Sequence, residues 1–150
     1  MRDAQSIRKG VEKLESSVDV AGRIQRAYGV RTMPLAADLG QERTVLSVPS
    51  RVLDRFGRLD ILVNCAALVG TSELEGWATP FQEQRIDTWR LALEVNLTAP
   101  FVLIRELAPH MIDAGGGAIV NIASRNAFRS STNNAGYDAS KAGLVALTRT

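Results

Sequence analysis

From Gly10 to Tyr28 the apolar residues Val11, Leu14, Val18, Ala21 and Ile24 recur every three or four positions. That spacing predicts a one-sided helix stopped at Gly29. "VRTMPLAAD", from Val30, has the length of a strand, with Pro34 restricting it to an edge or to the strand's beginning. In "QERTVLSVPSRVLDRFG" the residues Val45, Val48, Val52 and Phe56 share one helical face up to Gly57, and Pro49 predicts a kink. "LDILVNCAA" is a continuous apolar run with β-branched members, as expected of a strand buried on both faces of a parallel sheet. Residues 70–86 show no period and contain Gly76 and Pro80, so a long loop is expected. Asp87 is positioned to cap a helix bearing Trp89, Leu93, Leu97, Leu103, Leu107 and Met111, perturbed at Pro100 and closed by the glycines at 115–117. "AIVNIAS" predicts a second buried strand, "RNAFRSSTNNAG" a polar connection, and "YDASKAGLVALTRT" a helix running to the last residue. Strand and helix alternate throughout, which predicts a parallel sheet with helices on both faces.

Composition narrows the partners. The chain has 150 residues, 45% of them hydrophobic, and a net charge of +2 with no basic runs, which suits one globular domain and argues against nucleic acid. A single cysteine, Cys65, forms no internal disulfide, and the first twenty residues are too polar for a secretory signal; a reducing, cytoplasmic setting is expected. The most apolar stretch, "ILVNCAALVG", is interrupted by Asn64 and far shorter than the roughly 20 residues a spanning helix needs. No membrane association and no metal site are expected.

Candidate chemistry lies in "YDASK". On a helix, Tyr137 and Lys141 are neighbours on one face. A phenol titrates near about pH 10 in water, and a nearby ammonium favours the phenolate. A tyrosine tuned in this way can protonate a carbonyl oxygen as hydride reaches the carbon, or take the proton from an alcohol in reverse. Ser124, just after a strand, is a candidate to hold that oxygen. With two tyrosines and three lysines in the chain, chance alone gives this spacing in roughly one such chain in twenty-five.

Four segments together carry a family resemblance. "LDILVNCAA", "EVNLTAP", "GGGAIVNIAS" and "YDASKAG" resemble the strand ending in Asn-Asn-Ala-Gly, the asparagine helix, the serine strand and the Tyr-x-x-x-Lys helix of the short-chain dehydrogenase/reductase family, especially shorter members such as the 3-oxoacyl carrier protein reductases. Asn96 precedes Ser124 by 28 positions and Ser124 precedes Tyr137 by 13, spacings similar to those of the shorter members. The resemblance implies a Rossmann-like, doubly wound α/β fold and an NAD- or NADP-dependent oxidoreductase acting on a small carbonyl or secondary alcohol. It implies Tyr137 as acid or base, Ser124 on the substrate oxygen, Lys141 on the tyrosine and the nicotinamide ribose, and Asn96 holding a water that relays protons. It also implies that Asp38 and Leu39 border the adenine, and that Asn64 and Ala66 line the cofactor and tie the central sheet. Cys65 and Ala67 depart from the family's Asn and Gly at those positions.

The family's glycine-rich turn for the pyrophosphate has no counterpart, since no glycines before the second helix give Gly-x-x-x-Gly-x-Gly or Gly-x-Gly-x-x-Gly. An internal fragment of a longer oxidoreductase is therefore expected, truncated at both ends, with little activity and marginal stability alone. The full-length parent is expected to be a homo-dimer or homo-tetramer, paired through the helices that begin near Asp87 and Tyr137. A non-catalytic scaffold of the same fold is the alternative, and a sugar-nucleotide epimerase or dehydratase a third. Trp77 and Phe81 are candidates either to roof a substrate pocket or to cover the sheet edge. His110 reads as a helix-terminus residue, Cys65 as a core residue, and Arg125 and Arg129 as solvated loop charges.

Overall fold

The structure, a computed structural model, describes residues 17–69 and 72–150. The chain divides into two compact units, Met1–Ala37 and Asp38–Thr150. In the first, residues 17–28 form helix α1, which closes where Gly29 N–H donates to the Gln25 carbonyl at 2.9 Å. The expected part of this helix before residue 17 lies outside the described residues. The strand expected from Val30 is absent, and residues 29–38 carry neither helix nor strand. A parallel strand exists only through its partners, and Pro34 has no N–H to give one.

The second unit runs α2 (Glu42–Phe56), β1 (Ile61–Asn64), a 3₁₀ turn (Phe81–Glu83), α3 (Ile86–Leu93), a π segment (Glu94–Thr98), α4 (Ala99–Asp113), β2 (Ala118–Asn121), a second 3₁₀ turn (Arg125–Ala127) and α5 (Ala135–Thr148). β1 and β2 pair in parallel, Ile61 opposite Ala118 through Asn64 opposite Asn121. This is the α/β architecture expected, although each strand has only four residues. Neither is buried on both faces. Leu62 and Leu59 pack against a core of Val45, Ala99, Val102, Leu103 and Leu107 from α2 and α4, while Ile61 and Val63 remain exposed.

Three further expectations are adjusted. α2 passes through buried Pro49 as one helix. The next helix starts at Ile86 rather than behind an Asp87 cap, and the Asp87 carboxylate accepts the Thr88 N–H at 2.9 Å from inside the first turn. α5 stops at Thr148 instead of continuing.

The perturbation expected at Pro100 falls one turn earlier. Proline has no N–H for the carbonyl four residues back, and its ring crowds that carbonyl. Here that residue is Asn96, and the backbone widens into a π turn around it, with Ala99 N–H donating to the Glu94 carbonyl. α3 and α5 meet through small residues. A Cβ at Gly143 would lie 2.7 Å from Leu97, and one at Gly136 would lie 3.0 Å from Trp77 and 3.5 Å from Ala92. A side chain at either position would push Leu97 or Trp77 aside, so the two glycines let α5 lie close to both.

Candidate active site

α5 carries two of the predicted residues on neighbouring positions of one face. Tyr137 is half-buried and Lys141 is 3% exposed. The Lys141 side chain reaches the chain beyond β2, where Nζ donates to the Ile122 carbonyl at 2.7 Å, and it lies 5.9 Å from the centre of the Tyr137 ring. Ile122 is itself anchored, its N–H donating to the Asn64 carbonyl at 2.9 Å. Burial pushes the Lys141 pKa below its ordinary 10.5, with the charge of Cys65 acting in the opposite direction.

Asn96, at the centre of the π segment, is 1% exposed and works as a clamp. Its Oδ1 accepts the Leu68 N–H at 2.7 Å, and its Nδ2 donates to the Leu68 carbonyl at 3.1 Å and to Ser140 Oγ at 3.0 Å. Ser140 Oγ in turn donates to the Tyr137 carbonyl at 2.7 Å. One buried amide thus ties the segment following β1 to the turn of α5 that bears Tyr137. Both of its N–H donors are already taken.

Ser124 precedes the Arg125–Ala127 turn, and its Oγ accepts the Asn126 N–H at 3.2 Å. Its own O–H stays available to donate. The Asn126 side chain continues to α5, Nδ2 donating to Asp138 Oδ1 at 2.6 Å. Asp138 is 7% exposed and also accepts the Ser131 N–H at 2.7 Å. The structure therefore joins Ser124, Tyr137, Lys141 and Asn96 through α5 and its partners.

The remaining predicted residues are placed as follows. Asn64, 8% exposed, donates from Nδ2 to Asn121 Oδ1 at 2.8 Å across the sheet, and Asn121 donates to Thr148 Oγ1 at 3.0 Å on α5. Ala66 is exposed in the segment that follows β1. The Asp38 carboxylate turns toward α2, accepting from Gly40 N–H and Gln41 Nε2, each at 3.0 Å. Leu39 packs against the α2–α4 core. Cys65, expected in the core, is exposed.

Trp77 and Phe81 do different things. Trp77 is buried against Gly136, with its indole N–H donating to the Val69 carbonyl at 2.7 Å, so it seals the α3–α5 junction. Phe81 lines an open cavity of about 500 Å³ with Trp89, Asn126, Ser131, Asp138 and Ala142. By helical geometry Ala139 and Ala142, also in that lining, lie on the side of α5 away from Tyr137. Sequence reasoning missed Ser140, Asp138 and Asn126. The available signals were an acid in the first turn of a helix and polar residues near Tyr137. His110, Arg125 and Arg129 are exposed. Among the described residues no group of three His, Cys, Asp or Glu side chains is placed to hold a metal ion, and no helix is long and apolar enough to cross a membrane.

The sequence model of the short chain dehydrogenases matches residues 6–150. The chain belongs to that family. An uncharacterized oxidoreductase of Thermotoga maritima is 33% identical over 144 residues, covering 93% of this chain and 54% of that protein. A metagenomic short-chain oxidoreductase solved with NADP superimposes with a TM-score of 0.80 at 34% identity, covering 91% of this chain and 58% of the other. An NAD⁺-bound xylitol dehydrogenase does so with a TM-score of 0.77 at 28% identity, covering 89% and 49%. The chain spans about half the length of the curated relatives it matches.

Proposed function

We propose that the chain carries the reacting centre of an NAD- or NADP-dependent oxidoreductase that moves a hydride between the nicotinamide and a small carbonyl or secondary alcohol, with Tyr137 as acid and base. The observation that carries this reading is the buried Lys141 ammonium, held by the Ile122 carbonyl one helical turn from Tyr137. Among the described residues this buried cation has one acceptor, which is costly, and such groups concentrate at functional sites. An ammonium has three N–H donors, and the Ile122 carbonyl takes one of them. The other two would hold the hydroxyls of a nicotinamide ribose.

When bound, the nicotinamide supplies or accepts the hydride. Tyr137 would hold the substrate oxygen and pass the proton, with the Lys141 ammonium 5.9 Å from the centre of its ring. The Ser124 O–H would donate to the same oxygen, as Oγ already accepts from Asn126. With the Asn96 side chain committed to Leu68 and Ser140, a relay water would use the Asn96 main-chain carbonyl, to which Pro100 has no N–H to donate. Asn64 and Ala66 would line the nicotinamide side at the carboxyl end of β1, where open parallel sheets take their ligands. Asp38 and Leu39 would border the adenine. The relatives solved with NADP and NAD⁺ support either coenzyme. The whole enzyme would be a homo-oligomer, and these 150 residues alone would turn over little or nothing.

The test uses the full natural polypeptide that carries this chain, assayed for coenzyme-linked oxidation of secondary alcohols. Tyr137→Phe should lower kcat by about 10²–10⁴-fold, the usual range for losing an acid–base group. Unchanged turnover would instead favour a scaffold that kept the fold.

A further inference from the structure

We infer, resting on the oxidoreductase reading above, that Asp138 is a positioning residue that sets the Ser124 hydroxyl relative to Tyr137. Ser124 and Tyr137 belong to different elements, one just past β2 and the other in the first turn of α5, and residues 125–136 separate them in the chain. A connection of that length fixes no distance by itself. Side-chain bonds that cross it can, and a misplacement of about 1 Å between reacting groups can cost on the order of 10²-fold in rate.

Asp138 makes those bonds. Its Oδ1 accepts from Asn126 Nδ2 at 2.6 Å and its Oδ2 accepts the Ser131 N–H at 2.7 Å, so one carboxylate holds the connection at two points. Ser131 Oγ lies between the two side chains, accepting from Asn126 Nδ2 at 2.8 Å and lying 3.4 Å from Asp138 Oδ1. Asn126 is thereby bonded at both ends, through its side chain to α5 and through its main-chain N–H to Ser124 Oγ at 3.2 Å. The second of these bonds fills one acceptor direction on the hydroxyl and so steers where its own proton can point. Asp138 lies about 100° round the helix from Tyr137, lines the cavity on that side and reaches Ser124 through Asn126.

The residue type follows from the donors it meets. A side-chain amide N–H and a main-chain N–H converge on position 138, and both need an acceptor. A carboxylate offers two oxygens and no donor, and charge-assisted bonds of this length offset its burial, as does a place in the first turn of a helix. Asparagine at 138 can satisfy only one of the two donors without turning its own NH₂ against the other.

The experiment is a set of variants in the full natural polypeptide, followed by steady-state kinetics and by circular dichroism to establish folding. Asp138→Asn should lower kcat about tenfold while the coenzyme KM changes by less than about twofold, as expected when alignment is lost but binding is kept. Asn126→Asp alone should be worse, since it sets two carboxylates against each other. Combining Asn126→Asp with Asp138→Asn should recover kcat to within about threefold, because the new amide at 138 can give its NH₂ to the new carboxylate at 126 and keep an oxygen for the Ser131 N–H. This exchanged pair also serves if either single variant fails to fold. In a Ser124→Ala background Asp138→Asn should have no further effect on kcat, since nothing remains for it to position.

A full tenfold loss in the Ser124→Ala background, or a folded exchanged pair without recovery, overturns the inference and leaves Asp138 a structural residue. If Ser124→Ala and Tyr137→Phe themselves leave turnover intact, the oxidoreductase reading fails first and this inference falls with it.

Discussion

The two faces of the β1–β2 sheet differ sharply. On one, Leu62 packs with Leu59 against Val45, Ala99, Val102, Leu103 and Leu107, and the helices of that layer also bear Asn96, Tyr137 and Lys141. On the other, Ile61, Val63 and Val120 are 61%, 53% and 43% exposed. The helical layer packs its own core, and Asn96 and Ser140 brace the turn that bears Tyr137 from within it. An apolar sheet face left open is instead a place for further chain or another subunit to cover. In this chain the packing that stabilises the fold and the bonds that order the candidate site therefore lie on the same side of the sheet.

The contrast can be tested by substitutions on either side of the sheet. The largest loss is expected from Leu107→Ala, 2% exposed in the α2–α4 core, at about 2–5 kcal/mol by urea titration. A loss below about 1 kcal/mol would mean that the helical layer is not packed as described. Asn96→Ala should follow, at about 1–3 kcal/mol, because Leu68 and Ser140 lose a buried partner. Hydrogen exchange at the Leu68 amide, which Asn96 now accepts at 2.7 Å, should accelerate in the same variant.

Lys141→Met should act in the opposite sense. Burial lowers this lysine's pKa below 10.5, so the folded chain holds the proton less tightly than the unfolded chain. The cost is full at pH values below the lowered pKa, where both states are charged, and it fades as the pH rises from there to 10.5. Thermal melts should show Lys141→Met gaining stability at neutral pH, with the gain shrinking toward pH 10.5; a gain that grows with pH contradicts the assignment. The smallest effect is expected on the open face, where Val63→Thr should change the stability of this chain by no more than about 0.5 kcal/mol. A markedly larger loss in a longer polypeptide carrying the same substitution would show that the face is covered there.

Much of this layout is legible in the sequence because it is written in local periods. The apolar face of α2, the two strand cores and the helix from Tyr137 follow from spacing alone. What was illegible depends on partners distant in the chain. Val30–Asp38 reads as a strand by length, yet a strand requires neighbours that no local pattern supplies. The strands read as doubly buried because Ile61, Leu62 and Val63 are all apolar, although only Leu62 meets a core. The resemblance implies that Asn96 holds a water, but no local pattern shows that its side chain bonds Leu68 and Ser140, 28 and 44 positions away. Pro100 announced a disturbance but not its form, since a π turn is set by how the helix on both sides is held. Cys65, apolar by neighbourhood, is exposed because the chain leaves the sheet at Asn64.

A double-substitution cycle on kcat in the full natural polypeptide tests most directly whether Tyr137 and Lys141 act as one chemical unit. If they do, Tyr137→Phe and Lys141→Met each lower kcat by about 10²-fold or more, and the pair together falls no further than the worse of the two. Losses that multiply, or a Lys141→Met enzyme that keeps its rate, would contradict it.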